Sequence, residues 1–226
     1  MRVRTPDVRQ IICRPVCRAL RLFAWLCAAA AATAAADVPK PNPDSLRNGD
    51  LIFQTSRSGQ SRAIQSATHS PYSHCGIVFF ERGRPYVFEA STKVKRSPLL
   101  RFIRKGEGGK CVIRRLKGAD TLLTPANLAK LEKAGKAFEG LPYDPYFGWS
   151  DEKIYCSELV YKIFRNALGL EIGRTARLRE FDLSAPEVKR IMQQRYGDSV
   201  PLDEIVISPA AQFADTSLAT VFDSYK

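Results

Sequence analysis

Histidine is scarce in this chain: His69 and His74 are the only two among 226 residues. So few leave no room for histidine-rich metal sites and little choice of a group that trades protons near neutral pH. Past residue 36 the cysteines are Cys75, Cys111 and Cys156, with no zinc-finger spacing. Three is an odd number, so at least one thiol stays free even in an oxidising compartment. The apolar run at residues 22–36 falls short of the roughly 20 residues a membrane span needs. Repeats and low-complexity tracts are absent beyond residue 36. So is a basic stripe interleaved with aromatics, and the formal net charge of +12 therefore does not indicate nucleic acid.

What is present begins with a leader pattern. Residues 1–21 hold six arginines and one acid, Asp7. The apolar run follows and ends in Ala34-Ala35-Ala36. This predicts a cleaved signal peptide over residues 1–36 and a periplasmic or secreted mature chain, 37–226. An uncleaved anchor is the alternative. A lipoprotein site is disfavoured, because Cys27 follows Trp25-Leu26 instead of small residues. Of the +12, the leader carries six minus one, leaving +7 on a mature chain of single-domain size.

Hydrophobic patterning predicts strands over residues 50–54, 74–81, 86–90 and 111–116, with a short late strand at 205–207. It predicts helices over 59–68, 124–138, 156–168 and 185–195, and a helical turn from Ser208-Pro209. Residues 82–85 read as a four-residue hairpin connection. Residues 94–105 are basic and amphipathic, without a clear assignment, and 141–153 read as an aromatic loop. The expected assembly is α+β, a mostly antiparallel sheet packed on helices on one side.

Cys156 opens the 156–168 helix, where aligned peptide dipoles favour a thiolate. His74 opens an apolar strand, a firmer mount for a base than the loop carrying His69. A thiol with an imidazole is a nucleophile and its base. Glu89 lies on the neighbouring hairpin strand, almost opposite His74, where it can orient the imidazole. An acid in an apolar strand also needs a partner if buried. The bland readings are a core cysteine, a packed histidine and a glutamate facing water. Glu158 is the rival carboxylate, but it points elsewhere around the helix.

The matching segments are Asn48-Gly49-Asp50-Leu51-Ile52-Phe53, Ser73-His74-Cys75-Gly76-Ile77-Val78, Val87-Phe88-Glu89-Ala90, Tyr143-Asp144 and Tyr155-Cys156-Ser157-Glu158-Leu159-Val160. In this order the chain resembles the YiiX/YebB-like cysteine hydrolases, a circularly permuted branch of the NlpC-type papain-fold superfamily. The resemblance implies a permuted papain-like core with histidine and acid ahead of the cysteine helix. It implies Cys156 as nucleophile, His74 as base and Glu89 as the orienting group. Oxyanion donors would be the Cys156 N–H, with a Tyr143 or Tyr155 hydroxyl in addition.

The function expected first is hydrolysis of an amide bond in cell-envelope peptides through a thioester, with no cofactor, no metal and no nucleic-acid partner. A lipid-directed acyltransferase or ester hydrolase of the lecithin retinol acyltransferase type is the alternative. In that case the basic residues 93–110 would face anionic lipid as a peripheral membrane contact. A non-catalytic ligand-binding module is the third reading. A narrow acid-lined cleft beside Cys156 would favour a peptide amine, and a long apolar one an acyl chain.

Overall fold

The computed structural model describes residues 38–226. The expected leader, 1–36, lies outside them. A six-stranded antiparallel sheet organises the chain in the order β4-β3-β2-β1-β5-β8. Its strands are β1 Leu51–Gln54, β2 His74–Glu81, β3 Arg84–Ala90, β4 Val94–Pro98, β5 Val112–Leu116 and β8 Leu218–Asp223. The helices are α1 Ser61–Thr68, α2 Leu99–Lys105, α3 Ala119–Leu122, α4 Pro125–Phe138, α5 Cys156–Leu168, α6 Pro186–Tyr196 and α7 Pro209–Phe213. A separate two-stranded ribbon pairs β6 Ala176–Arg177 with β7 Ile205–Val206.

Both faces of the sheet are covered, because alternate residues along its strands are apolar on each side. Phe53, Cys75, Ile77 and Phe88 meet Leu159, Ile163 and Phe164 of α5. Ile52, Val78, Val87 and Ile113 meet Leu99, Phe102 and Ile103 of α2. This corrects the expectation of helices on one side. The basic segment forms β4 and then α2, whose Leu99, Phe102 and Ile103 fall on one helical face and are buried. Cys111 and Cys75 lie in these two different clusters, and all three described cysteines are free thiols.

The β2–β3 hairpin is tighter than expected. Glu81 pairs with Arg84 and Phe80 with Pro85, so the connection is only Arg82-Gly83. Both have positive φ, 50° and 75°, as a two-residue turn matching the strand twist requires. Beside β1, the Asp50 carboxylate is fully buried. It accepts from Arg115 Nε at 2.7 Å and Nη2 at 2.8 Å, and from the Arg47 N–H at 2.8 Å. The Asp50 of the Asn48-Gly49-Asp50 segment is thus a tie between the chain before β1 and β5, away from the thiol.

Candidate active site

Helix α5 presents Cys156 at its first turn, and every residue from Cys156 to Phe164 is buried. The helix starts there because Glu158 folds back onto the Tyr155 N–H and because the chain beyond β7 straps this end. Ser157 Oγ donates to the Ile207 carbonyl at 2.8 Å. Gln212 Nε2 donates to the Ser157 carbonyl at 2.9 Å. The same Gln212 offers Oε1 to the Cys75 thiol at 3.3 Å. This end of the helix is therefore fixed to α7 and to the sheet.

His74 and Glu89 meet on the opposite side of β2, with His74 Nε2 2.7 Å from Glu89 Oε2. They are not directly opposed. Continuing the register from Ile77↔Phe88 sets Glu89 across from Gly76, so His74 reaches it on the diagonal. Gly76 makes that reach possible. A Cβ there would stand 2.5 Å from Val87 Cγ1, 2.8 Å from the Phe88 carbonyl oxygen and 3.6 Å from Glu89 Cβ. The His74 ring stacks on Phe102 of α2, with centroids 5.3 Å apart. Glu89 is 0 % exposed, and its other oxygen accepts from the Ser97 hydroxyl and from Lys105 Nζ at 3.3 Å.

Nε2 is engaged by Glu89, which leaves Nδ1 as the ring nitrogen available for the hydrogen bond between His74 and Cys156. The electrostatics follow. Burial pulls the His74 pKa down, but the charges and hydrogen bonds of Cys156 and Glu89 outweigh it and raise it to about 9. Burial pushes Glu89 up, and the hydrogen bond and charge of His74, with Ser97 and Lys105, bring it down to about 2. The Cys156 pKa falls well below the ordinary thiol value. Donation from the Cys75 thiol is the largest cause; it works against burial and is joined by the charge and hydrogen bond of His74. The Cys75 thiol has one proton, so it donates either to the Cys156 sulfur or to Gln212 Oε1 at any one time. Both shifts favour the thiolate–imidazolium form of the pair.

The two tyrosines differ. The Tyr143 hydroxyl accepts from Gln60 Nε2 at 2.7 Å, which leaves its proton free to donate. Burial and the nearby Cys156 charge raise its pKa, keeping it protonated. The Tyr155 hydroxyl instead accepts from the Ile207 N–H at 3.1 Å, 2 % exposed beneath the helix start. His69 sits outside the site, pairing with Asp182 at 3.3 Å near the surface. Glu158 bonds Lys162 at 2.8 Å, and burial lifts its pKa to about 7. Asp144 holds the Tyr146 and Gly148 N–H groups at 2.9 and 2.7 Å and so shapes the aromatic loop.

Sequence reasoning missed Cys75, Ser97, Lys105 and Gln212 around the site. Gln212 and Ser97 are buried polar residues whose role depends on which distant strand or helix they meet, and no local pattern carries that.

A narrow apolar cavity of about 70 Å³ opens beside the thiol. Ile64, Leu178, Phe181, Val188, Met192 and Val206 line it, with Cys156 at one end. A second, wider groove opens on the His74–Glu89 side.

Residues 45–222 match the sequence profile described as permuted papain-like amidase enzyme, YaeF/YiiX, C92 family. The chain belongs to this family. The family is one of cysteine amidases, so the chain is a cysteine hydrolase of permuted papain-like fold. It is 48 % identical over 175 residues to the Escherichia coli K12 protein YiiX, spanning 77 % of this chain and 85 % of that one. A crystal structure titled metalloprotein yiiX, from E. coli O157:H7, superposes with TM-score 0.76 at 47 % identity, covering 79 % of this chain and 98 % of that one. Among the described residues here, no group of three or more His, Cys, Asp and Glu could hold a metal ion.

Proposed function

We propose that the protein hydrolyses an amide whose acyl half is a long apolar chain, with Cys156, His74 and Glu89 as its machinery. The observation that carries this reading is the cavity beside Cys156. Its lining is mostly aliphatic and aromatic and holds no acid; Gln60, Ser73 and Arg195 border it on the side it shares with the second groove. A peptide amine would gain nothing there, whereas each buried CH₂ gains about 0.8 kcal/mol. The envelope peptide expected first from sequence therefore has less support than the acyl alternative, joined here to the amide chemistry of the family. The leader pattern read at residues 1–36 supports a substrate in the cell envelope.

The steps follow from the roles. The Cys156 thiolate attacks the carbonyl carbon. The oxyanion is held by the Cys156 N–H at the helix start and the Tyr143 hydroxyl. His74, protonated through Nδ1, gives its proton to the leaving amine, and the C–N bond breaks to leave a thioester. Neutral His74 then takes a proton from water, whose attack releases the fatty acid and the thiolate. Glu89 holds the ring and favours its charged form throughout.

A chain-length series tests this reading. On N-acyl amides from two to twelve carbons, kcat/KM should climb about three- to fourfold per CH₂ until the cavity is filled. A flat series, or preference for the shortest acyl group, contradicts it.

A further inference from the structure

Cys75 is a buried nucleophile that takes no part in the steps above. It lies on β2 next to His74, and its side chain joins the core between the sheet and α5. Cys75 is 1 % exposed and Cys156 is 3 % exposed. The Cys156 sulfur takes the Cys75 N–H and, in alternation with Gln212, the Cys75 thiol. The two sulfurs are therefore direct neighbours. Gln212 fixes the pair in place. Its side chain is wholly buried, donates Nε2 to the Ser157 carbonyl at 2.9 Å and offers Oε1 to the Cys75 thiol at 3.3 Å. One amide thus ties the residue after Cys156 to the second thiol.

The two thiols differ in access and in charge. Cys156 borders the cavity, whereas Cys75 lines neither the cavity nor the second groove. A small oxidant such as hydrogen peroxide therefore meets Cys156 first. Cys156 also carries the thiolate, the form that oxidises. Burial, then the hydrogen bond and charge of Cys156, hold the Cys75 pKa well above the ordinary thiol value, so Cys75 keeps its proton while Cys156 is charged. Oxidation of Cys156 to a neutral sulfenic acid removes that charge and leaves the Cys75 sulfur beside an electrophile. Cys111 is placed otherwise. It lies in the other core cluster, with its N–H and carbonyl both bonded to the Ser224 hydroxyl. The leader pattern read at residues 1–36 supports an oxidising compartment, where thiols meet such oxidants.

We infer that Cys75 is a resolving thiol, and that Cys75 and Cys156 close a reversible disulfide on exposure to peroxide, switching the nucleophile off and sheltering it from irreversible oxidation. This needs the Cys156 thiolate but not the acyl-amide reading. The thiolate attacks one peroxide oxygen. An S–O bond forms, the O–O bond breaks, and the released hydroxide takes the His74 proton to become water. The Cys75 sulfur then attacks the sulfenic sulfur. The S–S bond forms, the S–O bond breaks, and the hydroxyl leaves with the Cys75 proton as a second water. Each sulfur gives up one electron and peroxide takes both. A thiol reductant returns both cysteines. Without a resolving thiol the sulfenic acid goes on to sulfinic acid, which thiols do not reverse. A Cys75 that serves only as a hydrogen-bond donor to the thiolate would be matched by serine, which cannot close the bridge.

The test reads mass and needs no substrate. The protein is treated with hydrogen peroxide, its remaining thiols are trapped with iodoacetamide, and its peptides are mapped without reduction. Wild type should lose two hydrogens and yield the Cys75 and Cys156 peptides joined. Dithiothreitol should then restore alkylation of native Cys156 to nearly the untreated level. In Cys75→Ser, the same peroxide dose should add two or three oxygens to Cys156, and dithiothreitol should recover little of its alkylation. Each protein is compared with its own untreated sample, so a changed Cys156 pKa does not enter. Cys75→Ala serves if the serine variant melts early, and the wild-type map needs no variant. Alkylation of untreated protein reports the thiolate by itself, so loss of that reading and loss of the switch are distinguishable. Wild-type Cys156 oxidised to sulfinic acid beside a free Cys75, a bridge that includes Cys111, a mass unchanged by peroxide, or a Cys75→Ser protein that recovers as fully as wild type each overturns the inference.

Discussion

Replacing Glu89 by glutamine removes one charge and almost no volume at the buried centre of the site. The carboxyl is held at about 2 against an ordinary 4.5. That difference, about 3 kcal/mol, is what remains after burial, the largest single cause, has opposed the pull of His74, Ser97 and Lys105. Glutamine can still accept from Nε2 of His74, but it no longer opposes the imidazolium charge. Losing the charge from this hydrogen bond should cost the transition state on the order of 1–2 kcal/mol, roughly a five- to thirtyfold fall in kcat/KM. The pH profile carries the sharper signature. The reactive pair needs protonated His74, so wild-type activity should decline as pH rises through about 9. Without the Glu89 charge, burial is less opposed and the His74 pKa falls, so the alkaline limb should move at least one pH unit down. Stability shifts in the same sense. The depressed Glu89 pKa contributes stability fully present above 4.5 and lost as pH falls toward 2. The raised His74 pKa contributes stability present below 6.5 and lost as pH rises through about 9. These describe one network and are not summed. The assay is kcat/KM against pH for wild type and Glu89→Gln, beside a thermal melt at pH 6. A folded variant with wild-type turnover and an alkaline limb still at about 9 would remove Glu89 from the machinery.

Gly76→Ala should lower the melting temperature and activity together, because the added Cβ meets the Phe88 carbonyl at 2.8 Å and must push β3 away from β2; a melt unchanged within error contradicts the diagonal His74–Glu89 geometry. Asp50→Asn should cost about 3 kcal/mol by leaving Arg115 without its bidentate partner in a buried setting. Chemical denaturation should show that loss while the Cys156 alkylation rate stays at the wild-type value, since Asp50 lies away from the thiol.

The sequence carried the centre of the site further than its surroundings. Cys156 is legible because a cysteine opens a strongly patterned helix. His74 is legible because two histidines leave little choice. Glu89 followed from hairpin symmetry, though the two-residue turn at Arg82-Gly83 placed it on the diagonal and left Gly76 facing it. The second covered face was not legible. Val94–Pro98 has one apolar anchor and carries no clear assignment in sequence, yet it pairs along β3 through its backbone, which needs no side-chain pattern. β8 likewise joins at the sheet edge by pairing with β5, more than 100 residues upstream. Long-range backbone pairing and buried polar contacts such as Gln212 with Cys75 depend on the assembled fold, and local periodicity holds no record of them.

The central claim is that the Cys156 thiolate carries the acyl group. Rapid-quench mass spectrometry of the protein mixed with the p-nitrophenyl ester of dodecanoic acid measures this directly. One acyl adduct per chain should appear on the Cys156 peptide, form faster than it decays, and vanish in Cys156→Ala. An adduct on Cys75 or Cys111, or none in the burst, contradicts the account.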